Sequence, residues 1–273
     1  MNIQGILVAL LLSFLGLATQ AEAESEKAYT VGIVPQQSAT QLARLWVPVL
    51  KYLGEKSGLQ LRFKTAPNIP TFEERLAAGE YDLAYMNPYH YTVFHRSPGY
   101  VAFAHAAGKQ IKGIIVVRKD SDIQDLRALA GQKLAFPAPA AFAASVLPRA
   151  HFQSKGIDIE PTYVASHDSV YRSVAKGLFP AGGGVMRTFR NVDPEIHDQL
   201  RILWTTKGYT PHAFAANPSV TIGVVDRLQR AMLAMDENDE GRALLKNISI
   251  KGFTHAHDSA WDDVRGLNIQ LLD

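Results

Sequence analysis

The 273-residue sequence contains no cysteine. This absence excludes disulfide bonds, thiolate catalysis and cysteine-ligated metals in the monomer, and it also excludes a receptor anchored through a lipidated cysteine. An excess of one charge is lacking too, because 28 basic and 26 acidic residues leave a formal net charge of +2. A balanced chain has no basic stripe to neutralise many phosphates, so nucleic acid is not expected as a partner. A small solute fits this composition better.

Long apolar segments are also lacking, apart from one at the start of the chain. Residues 6–18 are apolar and precede the small-residue triplet Ala21-Glu22-Ala23, a pattern typical of cleavable secretory signals. The run is shorter than the roughly 20 residues that a helix needs to span a bilayer. We therefore expect residues 1–23 to be a signal peptide, and the mature chain to be a periplasmic monomer.

The mature chain alternates short β-branched or aromatic segments with amphipathic ones. Residues 29–34, 59–65 and 82–86 have the composition of strands, and apolar residues recur at helical spacing over 41–54. A further helix is predicted over 140–154. This rhythm predicts α/β units with a mostly parallel sheet.

Two extended segments, 113–119 and 203–209, have the character of connections between two lobes. They divide the chain into a first lobe of residues 24–117 and 206–273, and a second lobe of residues 118–205. Two lobes joined by two crossing strands would place a ligand cleft between them.

Several short motifs follow one another in a fixed order along the mature chain. They are VGIVPQQ at 31–37, WVPVLKYLGEKSG at 46–58, GEYDLAYMNPY at 79–89, IIVVRKDS at 114–121, LRALAGQKLAF at 126–136 and SHD at 166–168. Together they resemble the phosphate/phosphite/phosphonate-binding proteins of the periplasm. The resemblance implies the two-lobed type II periplasmic binding protein fold, with a cleft that closes on a small oxyanion.

The same resemblance implies a partner for the closed form. A transport receptor would present it to the permease of an ABC transporter, whereas a sensing relative would report it to a membrane histidine kinase. Catalysis is not expected, because the sequence has no G-x-S-x-G elbow and no set of acid, base and nucleophile. No cofactor or metal is expected either, since no HExxH helix accompanies the histidines.

One motif departs from the family pattern. Where the family has a hydroxyl-rich D-P-N-S-T-S-G run at a helix start, residues 138–144 read APAAFAA. Backbone N–H groups at Ala141 and Phe142 would remain to attract an anion, but three hydroxyl donors are missing. The family's tyrosine ahead of the hinge strand is replaced by Ile111.

Candidate ligand-binding residues lie at strand ends and helix starts. His167 and Asp168 begin a predicted helix, where an imidazole and N–H donors favour an anion; alternatively Asp168 only caps that helix. The remaining candidates are Tyr85, Asn87 and Tyr89 after a strand, Gln36 and Gln37 after the first strand, and Arg187 beyond the glycines of residues 182–184. The alternative is packing for the residues after the later strand, a polar loop for Gln36 and Gln37, and a surface or interlobe position for Arg187.

Overall fold

The computed structural model describes residues 27–272, so the predicted signal peptide lies outside the described residues. Within this range the chain forms these strands: β1 (Ala28–Ile33), β2 (Gln60–Lys64), β3 (Leu83–Met86), β4 (Val101–Ala106), β5 (Gly113–Arg118), β6 (Lys133–Phe136), β7 (Glu160–Tyr163), β8 (Ala181–Val185), β9 (Leu200–Thr205), β10 (Ala213–Ala216) and β11 (Phe253–His255).

The α-helices of the described range lie between these strands. They are α1 (Ala39–Ser57), α2 (Ile69–Ala77), α3 (Pro88–Phe94), α4 (Leu147–Ser154), α5 (His167–Ala175), α6 (Met186–Arg190), α7 (Pro194–His197), α8 (Ile222–Leu233), α9 (Asp239–Asn247) and α10 (Asp262–Arg265). A π-helical turn, Phe142–Val146, precedes α4, and short 3-10 turns lie at Leu126–Leu129, Met235–Glu237 and Asp258–Trp261.

The strands form two separate sheets. The first has the order β11-β4-β10-β3-β1-β2, in which β1 runs parallel to β2 and β3 while β10 and β11 are antiparallel to their neighbours. The second has the order β7-β6-β8-β5-β9, with β5 antiparallel to β8 and β9. The two-lobed α/β architecture predicted from the sequence is confirmed, but the predicted mostly parallel sheet is wrong, because both sheets mix parallel and antiparallel pairs.

Helix α1 shows how local sequence sets these elements. Ser38 caps its first turn by accepting a hydrogen bond from the Gln41 N–H at 3.3 Å, and Gly58, with φ of 69°, ends it in the left-handed conformation. Trp46 and Val49 belong to a buried stripe that packs the helix on the first sheet. The helix is therefore longer at both ends than the predicted 41–54.

The connections between the sheets are residues 107–112 and 206–212, which are joined to each other. Ile111 and Tyr209 form an antiparallel bridge, with N–H to O distances of 2.8 and 3.0 Å. Strand β5, most of which the sequence analysis assigned to the first lobe, pairs with β8 and β9 of the second sheet. We therefore propose that the lobes divide near Ile111, a few residues before the boundary drawn at 117, and near Tyr209, a few residues after the boundary drawn at 206.

The glycines of residues 182–184 lie in β8, where close packing explains them. A Cβ on Gly183 would lie 2.0 Å from the Ala144 carbonyl oxygen, and one on Gly184 would lie 2.2 Å from the Tyr171 hydroxyl. These glycines let the π-helical turn and α5 pack directly on the second sheet. Close packing therefore accounts for this run of three glycines.

Candidate functional site

The lobes meet at a buried cluster around Gln36. Its carbonyl oxygen, just after β1, accepts the His167 N–H at 2.8 Å from the start of α5 in the other lobe. Its side-chain oxygen accepts a hydrogen bond from Nη2 of Arg187 on α6. The structure thus brings together three residues that were predicted separately from the sequence.

His167 is fully buried in this cluster. Its Nδ1 lies 2.9 Å from Thr188 Oγ1, which also contacts the Tyr171 hydroxyl at 2.8 Å. Burial, and then the positive charge of Arg187, lowers the pKa of His167 to about 3. The ring is therefore neutral near pH 7, so it carries a single N–H and no positive charge.

Tyr85 and His212 complete the cluster on the first lobe. Their rings stack with centroids 4.9 Å apart, and the Arg187 guanidinium carbon lies 5.9 Å from the Tyr85 ring centroid. Burial lowers the pKa of His212 well below its usual value, and Arg187 lowers it further. His212 was not among the predicted site residues, since a lone histidine in a loop carries no spacing signal.

Asp168 forms a second link between the lobes. Its Oδ2 accepts the Ser38 N–H at 3.0 Å, just beyond the buried Gln37. Helix α5 is capped by Ser166, which accepts from the Ser169 N–H at 3.1 Å, so Asp168 is not the cap. Burial raises the pKa of Asp168.

Asn87 and Tyr89 have structural partners. Asn87 caps α3 through the His90 N–H at 2.8 Å, and its Nδ2 donates to the Ala140 carbonyl of the other lobe at 3.3 Å. The structure does not place Tyr89 with the other candidates, because its hydroxyl accepts the N–H groups of Leu271 and Leu272 near the C-terminus.

Ala141 and Phe142 close off the space beneath this cluster. Both are buried, and Phe142 packs edge-on against Tyr209 with ring centroids 5.4 Å apart. The predicted helix over 140–154 therefore begins as the π-helical turn and becomes α-helical only at Leu147. Residues 141–144 line a cavity of about 10 Å³ with Gln36, Asn87, His167 and His212; we call it the inner cavity.

A larger opening lies beside the inner cavity, at the interlobe connections. It has a volume of about 220 Å³, and its basic side chains are Lys109, Lys112, Arg187 and Arg190; we call it the basic cavity. Apart from Arg187, these residues were not among the candidates predicted from the sequence. The only sequence signal was the i, i+3 spacing of Arg187 and Arg190, which places both on one face of a short helix.

Metal binding and membrane spanning find no support in the described residues. Among residues 27–272, no group of three or more histidine or acidic side chains is placed to hold a metal ion. No helix in that range has the length and apolar character to cross a membrane.

Comparison with known proteins gives a consistent result. Residues 31–261 match the family described as the periplasmic substrate-binding protein of phosphonate ABC transporters. The phosphate-import protein PhnD of Mycolicibacterium smegmatis is 26% identical over 231 residues, which cover 77% of this chain and 72% of that protein.

Two crystal structures share the fold. A binding protein component of an ABC phosphonate transporter from Pseudomonas aeruginosa has a TM-score of 0.80 at 17% identity, over 88% of this chain and 85% of that one. PhnD1 of Prochlorococcus marinus, solved in complex with methylphosphonate, has a TM-score of 0.80 at 18% identity, over 89% of this chain and 98% of that one.

Proposed function

The chain belongs to the family of periplasmic substrate-binding proteins of phosphonate ABC transporters, and from that premise we propose that it binds a small oxyanion between its lobes and presents the closed form to a membrane permease. No reaction takes place in this protein. It acts in the periplasm as a monomer. Residues 1–23 are removed during export.

The contact between Gln36 and His167 carries this proposal. It joins the end of the first strand of one lobe to the first helical residue of the other, at 2.8 Å, in a buried position. A ligand held beside this junction touches both lobes, so its binding favours the closed arrangement over the open one. Arg187 supplies a permanent positive charge beside it.

Transport is favoured over sensing as the use of this closed form. The family is defined by components of ABC transporters, and the related protein of Mycolicibacterium smegmatis is a phosphate-import protein. A permease is therefore the proposed partner, and capture of a histidine kinase by the ligand-bound protein would contradict this choice.

Phosphate, phosphite and phosphonates define the proposed ligand class, with simple phosphonates binding weakly. Residues 138–144 lack the three hydroxyls of the family motif, and each lost hydrogen bond costs about 0.5–1.5 kcal/mol, or more toward a charged acceptor. Restoring serines at Ala141 and Ala143 should strengthen methylphosphonate binding. Unchanged affinity in that variant, or tight binding by the natural chain, would contradict the selectivity.

Calorimetry on the mature chain tests the binding role. We expect at least one of phosphate, phosphite, methylphosphonate and pyrophosphate to bind, with a smaller radius of gyration in X-ray scattering at saturation. Arg187→Gln should weaken that binding about tenfold or more, since it removes a charge-assisted donor. The exposed Arg127→Gln is the matched control and should bind normally. Absence of binding by all four anions would reject the proposed function.

A further inference from the structure

The basic cavity lies between the lobes and draws on both of them. Lys109 and Lys112 come from the connection after β4, while Arg187 and Arg190 come from α6 in the second lobe. A molecule in this space would contact both lobes and one of the two connections. The position is therefore as well suited to stabilising closure as the cluster around Gln36.

Positive charge in this cavity has no carboxylate to balance it. Within the described chain, the cavity lining contains no Asp or Glu, and its four basic side chains make no ion pair. Lys109 donates to the Ser249 carbonyl, and burial, followed by the charges of Arg190, Lys251 and Arg187, lowers its pKa. Like charges held together in this way repel each other until an anion enters.

Two polar atoms on residues that line the basic cavity are buried without a partner in the described structure. They are Nη1 of Arg187 and Nε2 of His212, whose residue is 3% exposed. Arg187 is held in place by its bond to Gln36 and its position over Tyr85. Buried polar groups are normally hydrogen-bonded, so both atoms are suited to contact a polar ligand.

The inner cavity is too small for an oxyanion in this closed arrangement. Its volume of about 10 Å³ has room for about one water molecule, against about 220 Å³ in the basic cavity. The two spaces share Ile111, Val185 and His212 in their linings. They are therefore neighbouring parts of one cleft, and the basic cavity is the part with enough volume for an oxyanion.

From this geometry we infer that the ligand occupies the basic cavity and is a small polyanion, with two linked oxyanion groups as in pyrophosphate or a bisphosphonate. One group lies between Arg187 and His212, and the other lies between Lys109 and Arg190. This inference rests on the proposed function and specifies its ligand class and its place in the cleft. A single phosphonate group would leave part of the positive charge unmatched.

Calorimetry with pyrophosphate and methylphosphonate on the full mature chain tests this inference. We expect pyrophosphate to bind with one-to-one stoichiometry and at least about tenfold more tightly than methylphosphonate. The double variant Lys109→Gln with Arg190→Gln should lose about 100-fold in pyrophosphate affinity, because it removes two charge-assisted contacts. It should change methylphosphonate affinity far less.

A second double variant controls for net charge. Lys119→Gln with Lys155→Gln removes two exposed positive charges from the second lobe, away from the cavity lining, and should leave pyrophosphate binding unchanged. Equal losses in both double variants would show unspecific attraction and overturn the inference. Binding of phosphate or methylphosphonate that is tighter than pyrophosphate binding and indifferent to Lys109 and Arg190 would also overturn it, while leaving the proposed function intact.

Discussion

The two lobes bury their apolar side chains in different ways. The first lobe has one continuous core around its sheet, whereas the second has two smaller cores, one on each face. Alternate residues of β5 serve these faces, with Ile114 and Val116 on one side and Ile115 and Val117 on the other. The second lobe also contributes alanines of residues 138–144 and Phe142 to the core of the first. Apolar burial therefore favours closure of this cleft even before a ligand binds.

Two phenylalanines of the second lobe give the sharpest test of that difference. Phe142 and Phe152 are each 1% exposed, but Phe142 belongs to the shared core and Phe152 to the second lobe's own. Replacing either with alanine should cost about 3–5 kcal/mol of unfolding free energy, measured by urea denaturation. Only Phe142→Ala should also expand the ligand-free protein in X-ray scattering. Equal expansion in both variants would show that the shared core does not hold the lobes together.

Gly113 tests how closely the π-helical turn must approach the second sheet. A Cβ at this position would lie 1.9 Å from the Ala143 carbonyl oxygen, so backbone must move to admit it. Gly113→Ala should therefore cost about 3 kcal/mol in a denaturation experiment. Gly223→Ala is the matched control, because an added Cβ there meets nothing within 4 Å and the site lies in α8. An unchanged free energy of unfolding in Gly113→Ala would contradict the close approach of the π-helical turn to the second sheet.

Acid should weaken the interface through His167. The unfolded chain protonates this group near pH 6.5, but the folded protein does so only near its pKa of about 3. Its contribution to the free energy of unfolding is complete above pH 6.5. Below that pH the contribution falls by about 1.4 kcal/mol per pH unit, so that about 2 kcal/mol has been lost at pH 5. His212, with its lowered pKa, adds a loss of the same sign. Urea denaturation at pH 7 and pH 5 measures the sum.

Substitution of His167 separates its contribution to this pH dependence from the contributions of other groups. Between pH 7 and pH 5, the free energy of unfolding of His167→Gln should fall by about 2 kcal/mol less than that of the natural chain. The exposed His257→Gln should show the natural pH dependence. An unchanged pH dependence in His167→Gln would mean that this ring does not resist protonation in the folded state.

Two helix caps give the smallest expected difference. Asn68 and Asn87 both cap helices with N–H to Oδ1 distances of 2.8 Å, but only Asn87 also reaches the other lobe, through the Ala140 carbonyl. Either change to alanine should cost about 1 kcal/mol for the cap. Asn87→Ala should cost about 1 kcal/mol more, for the interlobe bond. Identical losses in thermal denaturation would show that this bond contributes nothing.

Sequence patterns predicted the fold because helical and strand periodicities are local. The stripe of α1 and the ordered motifs led to the two-lobed architecture and to the family, and both predictions are confirmed. The start of the 140–154 helix was wrong, since its π-helical turn depends on glycines in β5 and β8 that are distant in sequence. Local periodicity contains no information about such long-range contacts.

The candidate site was only partly accessible from the sequence. Gln36, Arg187 and His167 were selected for their chemistry at strand ends and helix starts, and the fold brings them together. Lys109 and Arg190 were not selected, because they lie on different elements and neither is part of a motif. Their common role emerges only where the chain crosses between the sheets.

The bridge between Ile111 and Tyr209 bears on how many ways the lobes can move. Two unattached connections would let one lobe twist as well as bend relative to the other. Two backbone hydrogen bonds between the connections make them a single ribbon, which resists twisting and leaves bending as the soft coordinate. Opening and closing then follow one angle. A permease that contacts any point far from the ribbon can therefore distinguish the open cleft from the closed one.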